Sequence, residues 1–252
     1  MRSRILIFLF TSLLLYSSAF AQKQTEHVQQ VWIGYLNQTR FSEHFGFWGE
    51  FQLRTKENFF EDLSTSIVRL GLTYHINDKV RLTAGYAWVN AFPNGAVTVS
   101  QPEHRPWQQV QWLTNSPRIR LMQWIRLEER FRRKIEANTA LGEGYNFNYR
   151  VRYNFLMTLP LGQQAFVKNA VSLVFNDEIH VNLGKEIVYN YFDQNRFFAG
   201  FAYHLNARDN IQFGYMNVFQ QLAAGNRYRS LHVARIFYFH NIDLRKNQKS
   251  KS

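Results

Sequence analysis

The 252-residue chain contains no cysteine. This absence excludes a structural disulfide, a thiolate metal site and the lipidated cysteine of a lipoprotein. After the first 15 residues the chain also lacks an apolar run long enough for a membrane-spanning helix, which requires about 20 residues. No glycine loop of the phosphate-binding type is present, and the eight histidines do not follow the spacing of metal ligands. We therefore predict neither a metal nor a cofactor.

The first 21 residues follow the pattern of a secretion signal. Two arginines precede an apolar run over residues 5–15, and small residues at Ala19 and Ala21 stand where a signal peptidase reads the chain. The apolar run is too short to span a bilayer comfortably, which disfavours an uncleaved anchor. We therefore predict a signal peptide over residues 1–21 and a mature chain that begins near Gln22.

Acidic residues are few: 18 Asp and Glu stand against 30 Lys and Arg. An exported basic chain is expected to meet phosphorylated lipid headgroups rather than nucleic acid. Aromatic residues make up 17% of the chain, more than an ordinary soluble core requires. This combination is typical of a bacterial outer-membrane β-barrel. The expected partners are outer-membrane lipids, lipopolysaccharide and, during insertion, the barrel-assembly machinery.

Apolar residues recur at every second position in segments of about ten residues, the period of lipid-facing barrel strands. Residues 68–76 and 80–88 alternate in this way around the turn-forming pair Asn77-Asp78, which predicts a tight hairpin. Shorter connections are predicted at 77–78, 115–117, 160–162 and 206–209, and longer ones at 90–105, 133–144, 178–194 and 221–227. The alternation predicts that the following side chains face outward: Phe51, Leu70, Leu82, Tyr153, Phe155, Phe201 and Phe213.

The predicted fold is all-β, a closed antiparallel transmembrane barrel of 10–12 strands. Residues 46–241 contain ten segments, which satisfies the even number expected of single-chain bacterial barrels. The segment 22–45 contributes one further strand, which either lies in the lumen or belongs to a twelve-strand barrel. Residues 242–252 form a basic tail, predicted to be periplasmic.

Short sequence motifs in a consistent order suggest a family. The chain resembles an uncharacterised bacterial family of outer-membrane barrels, the domain of unknown function 2490, and the resemblance covers most of the mature chain. It implies a barrel and an outer-membrane location but no activity. The motifs are Trp32-x-Gly34, Gln52-Leu53-Arg54, Gly71-Leu72-Thr73-Tyr74, Gly85-Tyr86, the run from Arg126 to Phe131, Arg150-x-Arg152-Tyr153, Asn176-Asp177-Glu178, Asn195-Arg196 and Gly214-Tyr215-Met216.

Charged residues recur on the inward positions of neighbouring predicted strands. Charges inside a narrow barrel must be paired, so an interior salt-bridged network is the favoured interpretation, and an anion-selective constriction is the alternative. The predicted members are Arg126, Glu128, Arg130, Arg150, Arg152, Glu50 and Glu178.

Ser230 and His232 stand two positions apart on the last predicted strand and so share one face. Lipid hydrolases of the outer membrane carry such a pair on one strand, but in the order His-x-Ser, and no residue that would orient His232 is identifiable. The favoured alternation directs Leu231 and Phe237 to lipid and His232 inward. A non-enzymatic barrel of unknown specific role is therefore the favoured hypothesis, and a hydrolase that uses Ser230 and His232 is the alternative.

Overall fold

The computed structural model describes residues 23–162 and 166–245, and over these residues the chain forms eleven β-strands. The described residues contain no helix long and apolar enough to span a membrane. The predicted signal peptide lies outside the described residues, as does most of the predicted tail. The strands are β1 (Gln24–Arg40), β2 (Phe45–Thr55), β3 (Leu63–His75), β4 (Val80–Ala91), β5 (Gln101–Ser116), β6 (Ile119–Glu136), β7 (Ala140–Leu161), β8 (Val171–Leu183), β9 (Phe192–His204), β10 (Asn210–Gln221) and β11 (Arg227–Asp243).

The sheet closes into a barrel in which each strand pairs with its neighbours along the chain and β1 pairs with β11. Strands that follow one another in the chain pair antiparallel. The first and last strands, β1 and β11, instead pair parallel, from Gln24 opposite Arg227 to Arg40 opposite Asp243. The prediction of an entirely antiparallel barrel with an even strand number is therefore wrong, although eleven lies within the predicted range. The first strand belongs to the wall, and in an odd series of alternating strands the first and last point the same way.

The strand connections lie at two ends of the barrel. The end that we call the turn end carries the connections 41–44, 76–79, 117–118 and 205–209, together with residues 166–170 before β8. The opposite end, which we call the loop end, carries 56–62, 92–100, 137–139, 184–191 and 222–226. The long loop predicted over 133–144 is wrong, because β6 and β7 continue as a paired hairpin to Glu136 and Ala140. Polar residues in this hairpin extend the strands instead of ending them.

Side chains alternate between the barrel interior and its outer surface. Of the seven side chains predicted to face outward, Phe155 is half-buried on the outward face and the other six are exposed. This confirms the predicted register of their strands. The six are Phe51, Leu70, Leu82, Tyr153, Phe201 and Phe213. The prediction for β11 is wrong, since Leu231 and Phe237 are buried with Val233 inside the barrel, whereas Ile236 is exposed. Both faces of β11 are rich in apolar residues, so alternation alone does not identify its inward face.

The barrel interior has an apolar side and a charged side. Large apolar side chains from β1, β9, β10 and β11 pack together there, among them Trp32, Phe198, Met216 and Phe237. The charged residues come mainly from β2 to β9. Side chains thus occupy much of the lumen, as expected for a barrel of this size.

Two glycine pairs face each other across neighbouring strands, Gly71 opposite Gly85 and Gly200 opposite Gly214. A Cβ atom on Gly85 would lie 2.0 Å from the carbonyl oxygen of Leu70 and 2.6 Å from the Cα of Gly71. The backbones of β3 and β4 therefore approach too closely for any side chain. Such close approach is one of the recognised uses of glycine inside a strand.

We predict that Gly85→Ala destabilises the barrel by about 1–3 kcal/mol, because the new methyl group meets backbone and not a flexible side chain. Gly142→Ala is the matched control, since the nearest atom to its Cβ would be Lys134 Cβ at an ordinary 3.5 Å. Urea unfolding of the refolded variants measures both effects. Equal stability of the two variants would contradict this account of the glycine pair.

Candidate functional site

Glu128 on β6 is fully buried and accepts hydrogen bonds from three arginines, one on β3 and two on β7. Its Oε2 atom lies 2.6 Å from Arg150 Nη2, and its Oε1 atom lies 2.6 Å from Arg152 Nη1 and 3.2 Å from Arg69 Nη2. A carboxylate that is buried away from solvent requires such partners, because an uncompensated buried charge is strongly unfavourable. Glu128 is therefore the centre of the interior ion pairs.

Four further carboxylates extend these contacts around the barrel. Arg69 donates to Glu50 at 2.6 Å, and Arg150 donates to Asp193 at 2.9 Å. Glu103 is bound by Arg130 Nε at 2.6 Å and also by Arg105 and Arg132, while Glu178 accepts from Arg152. We call the whole set the charge network; its members are Glu50, Glu103, Glu128, Glu178, Asp193, Arg69, Arg105, Arg126, Arg130, Arg132, Arg150, Arg152 and Arg196.

All seven residues predicted from the sequence as network members lie in this network. The other six were not assigned to it from the sequence. Arg69 and Arg196 carried a usable signal, because they alternate with outward apolar residues on β3 and β9. Glu103 and Asp193 carried none, since both fall in stretches that the sequence predicts as loops and the structure places at strand starts.

The charge network contains more cations than anions, eight arginines against five carboxylates. Arg126 shows how part of the excess is accommodated. Its nearest carboxylate oxygen, on Glu128, is 4.0 Å away, and its hydrogen bonds go to the amide oxygen of Gln109. The guanidinium lies 4.4 Å from the ring centre of Trp107 and 4.8 Å from that of Trp124. Aromatic faces therefore replace a counter-ion at this position.

Two cavities lie in the lumen and meet at the charge network. The turn-end chamber has a volume of about 450 Å³ and reaches Arg208 in the connection 205–209. The loop-end chamber has a volume of about 460 Å³ and reaches Arg132 near the end of β6. Both chambers are lined by Glu50, Gln52, Arg69, Arg152 and Arg196. Network side chains thus lie between the two chambers.

Ser230 and His232 lie on the outward face of β11, which corrects the predicted inward position of His232. Ser230 Oγ accepts a hydrogen bond from Asn217 Nδ2 at 2.9 Å. His232 is engaged elsewhere, with Tyr215 Oη 2.7 Å from Nδ1 and His27 Nδ1 3.0 Å from Nε2. No hydrogen bond joins Ser230 to His232, so the nucleophile and base of a hydrolase are not paired. Among the residues that the structure describes, no group of three or more His, Cys, Asp or Glu is placed to hold a metal ion.

A smaller ionic cluster lies at the turn end. Arg40 Nη1 donates to Asp78 at 2.5 Å, and Arg245 reaches Glu43 at 3.1 Å and Asp243 at 2.8 Å. The hydrogen bond and positive charge of Arg40 lower the pKa of Asp78 below its ordinary value of 3.8. Asp78 therefore stays ionised in the folded barrel until the pH falls through this lowered pKa. Its contribution to stability is fully present above the ordinary value and is lost as the pH falls from there through the lowered pKa.

The geometry defines a class of protein: an eleven-strand β-barrel with an apolar outer surface and an arginine-rich lumen. The chain belongs to the family described as protein of unknown function (DUF2490), whose model matches residues 29–229. The match confirms the family suggested by the sequence motifs. No curated protein and no solved structure matches the chain.

We predict that Glu128→Gln lowers the free energy of unfolding by about 3–5 kcal/mol, because it leaves several buried guanidinium groups without their common counter-ion. Glu129→Gln is the matched control, since Glu129 is the next residue on the opposite face and has only a 3.4 Å contact with Gln108. Denaturant unfolding followed by tryptophan fluorescence measures both. A Glu128 variant as stable as the control would show that the network does not stabilise the barrel.

Proposed function

We propose that this protein is a non-enzymatic β-barrel of a bacterial outer membrane whose lumen is closed by the charge network. The observation that carries the proposal is the outer surface of the barrel. Leu70 is 50% exposed, Leu72 is 70% exposed and Ile125 is 48% exposed, although each stands in the middle of a paired strand. Soluble proteins rarely expose a continuous apolar surface, whereas lipid-facing barrel strands require one.

Aromatic residues at both ends of this outer surface support the membrane location. Towards the turn end, Tyr35 is hydrogen-bonded to His240 at 2.8 Å, and Tyr203 donates to Asn169 at 2.9 Å. Towards the loop end, Tyr145 is exposed on the outer surface and packs edge-on against His104, with ring centres 5.6 Å apart. Tyrosine rings with a polar tip are typical of membrane interfaces, where one edge meets lipid and the other meets water. Outer-membrane lipids and lipopolysaccharide are the partners that this surface suits.

Closure of the barrel supports the same location. In hydrocarbon, an unpaired strand edge exposes backbone groups that water cannot satisfy. The parallel pairing of β1 with β11 removes both edges along their whole length, from Gln24 to Arg40. Insertion of such a closed sheet is the task of the barrel-assembly machinery, which we propose as a transient partner.

The interior favours a closed lumen over an open anion channel. Glu128 and Arg126 are almost entirely buried, and ion pairs with Arg69, Arg150 and Arg152 cross the space between strands. A conducting pore needs charged groups that face a continuous water path. Here the arginines are engaged with carboxylates or aromatic rings instead.

For the membrane location, we predict that Leu70→Arg destabilises the barrel in lipid vesicles by about 2–4 kcal/mol, the cost of a cation near the bilayer centre. Leu63→Arg is the matched control, because Leu63 is an exposed leucine of the same strand at its loop end, where the cost falls to about 0–1 kcal/mol. Unfolding in vesicles measures both. Equal effects of the two substitutions would contradict a lipid-facing belt.

For the closed lumen, we predict that the refolded protein in planar bilayers shows no steady conductance. Glu128→Ala provides the decisive variant. If the network is a structural closure of the lumen and not an anion path, this variant unfolds at a lower temperature. Its compact electrophoretic mobility, the mark of a folded barrel, is then lost at that lower temperature. Unchanged melting together with a steady anion-selective current would instead favour the channel.

A further inference from the structure

We propose that the turn-end chamber binds a single-chain amphiphile with an anionic headgroup. The chamber is defined by the barrel interior, so this inference does not depend on the location of the barrel in a membrane. Its volume of about 450 Å³ lies within the range of small-molecule sites. The two halves of the proposed ligand correspond to two features of its lining.

The first feature is an apolar surface on one side of the chamber. Leu36, Leu156, Ala202, Met216 and Phe237 line it. They belong to the buried apolar side of the lumen or pack against it. A hydrocarbon chain that displaces water from this surface is stabilised by the burial of apolar area.

The second feature is an interior cation without a carboxylate. Arg235 on β11 is 6% exposed and lines the chamber, yet it forms no salt bridge with any residue that the structure describes. Its one hydrogen bond goes to Gln212 Oε1 at 2.7 Å, and its Nε atom has no partner. The guanidinium lies 3.6 Å from the ring centre of Phe198 and 4.8 Å from that of Phe237. A buried guanidinium in apolar surroundings is the group that a carboxylate or phosphate would satisfy.

Other unpartnered groups of the chamber point to the same ligand chemistry. Asn154 is buried and lines the chamber, and its Nδ2 donor has no partner. Arg196, at the junction with the charge network, also has an unpartnered Nε atom. Donors without acceptors therefore accumulate beside the apolar surface, and the charge network itself has more arginines than carboxylates. An anionic headgroup supplies acceptors to both, while its chain lies along the apolar side.

The test is native mass spectrometry of the folded full chain in an uncharged detergent. Dodecanoate and dodecyl phosphate are the probes, and dodecanol and acetate supply the chain alone and the charge alone. We expect one molecule of dodecanoate or dodecyl phosphate per barrel, with binding at least tenfold weaker for dodecanol and for acetate. The stronger of the two anionic probes identifies the headgroup.

Two variants and a control locate the site. Arg235→Gln should weaken binding of the anionic probe at least tenfold while the barrel keeps its folded electrophoretic mobility, because the substitution removes a charge that has no ion-pair partner. Leu156→Trp should block the chain by filling the chamber. Arg54→Gln is the matched control, because Arg54 also donates to a glutamine and lies over an aromatic ring but lines only the loop-end chamber, and it should bind as the unmodified protein does.

Four results would overturn the proposal: no binding of either anionic probe, dodecanol binding as tightly as the anions, acetate binding as tightly as the anions, or unchanged binding in folded Arg235→Gln. The first excludes the proposed ligand from the chamber, and the second removes the role of the negative charge. The third removes the role of the apolar surface, and the fourth removes the role of Arg235. None of these results bears on the membrane location, which depends on the outer surface.

Discussion

The buried carboxylate of Glu128, shared by arginines from β3 and β7, is the interaction on which the architecture depends. A strand that slipped by one residue would exchange its inward and outward faces. On β6 such a slip would direct Glu128 and Arg126 outward and bring Ile125 inward. The charge network thus penalises a one-residue slip in any of its strands. The apolar outer surface follows from the same alternation, since the residues between the network members are mainly apolar.

The interior combines two solutions to the problem of filling a narrow barrel. On the side formed by β9, β10, β11 and β1, apolar side chains pack as in a soluble core. On the opposite side, carboxylates and aromatic rings hold an excess of arginines. Arg126 among tryptophans and Arg235 against Phe198 lie where these two solutions meet. Such positions are costly for stability, and Arg235 is the one at which we propose that an anion binds.

The odd number of strands has consequences beyond the closure of the sheet. The strands β1 and β11 run parallel, so both start at the loop end and both finish at the turn end. At the turn end, Arg245 contacts Glu43 and Asp243, and Arg40 contacts Asp78, so that side chains join the ends of β1 and β11 to nearby turns. The parallel seam is therefore supported by backbone pairing along its length and by ion pairs at this end.

Local pattern determined much of this protein. Strict alternation identified the outward face at Leu70, Tyr153 and Phe213, and it placed Arg126, Glu128 and Arg150 on inward faces, because outward and inward residues differ sharply in polarity on those strands. Only the tertiary structure decided the inward face of β11, where both faces are apolar, and the network roles of Glu103 and Asp193, which lie in polar stretches without alternation. It also decided the parallel closure, because pairing between β1 and β11 joins residues about 200 positions apart, and no local period records which distant strand completes the sheet.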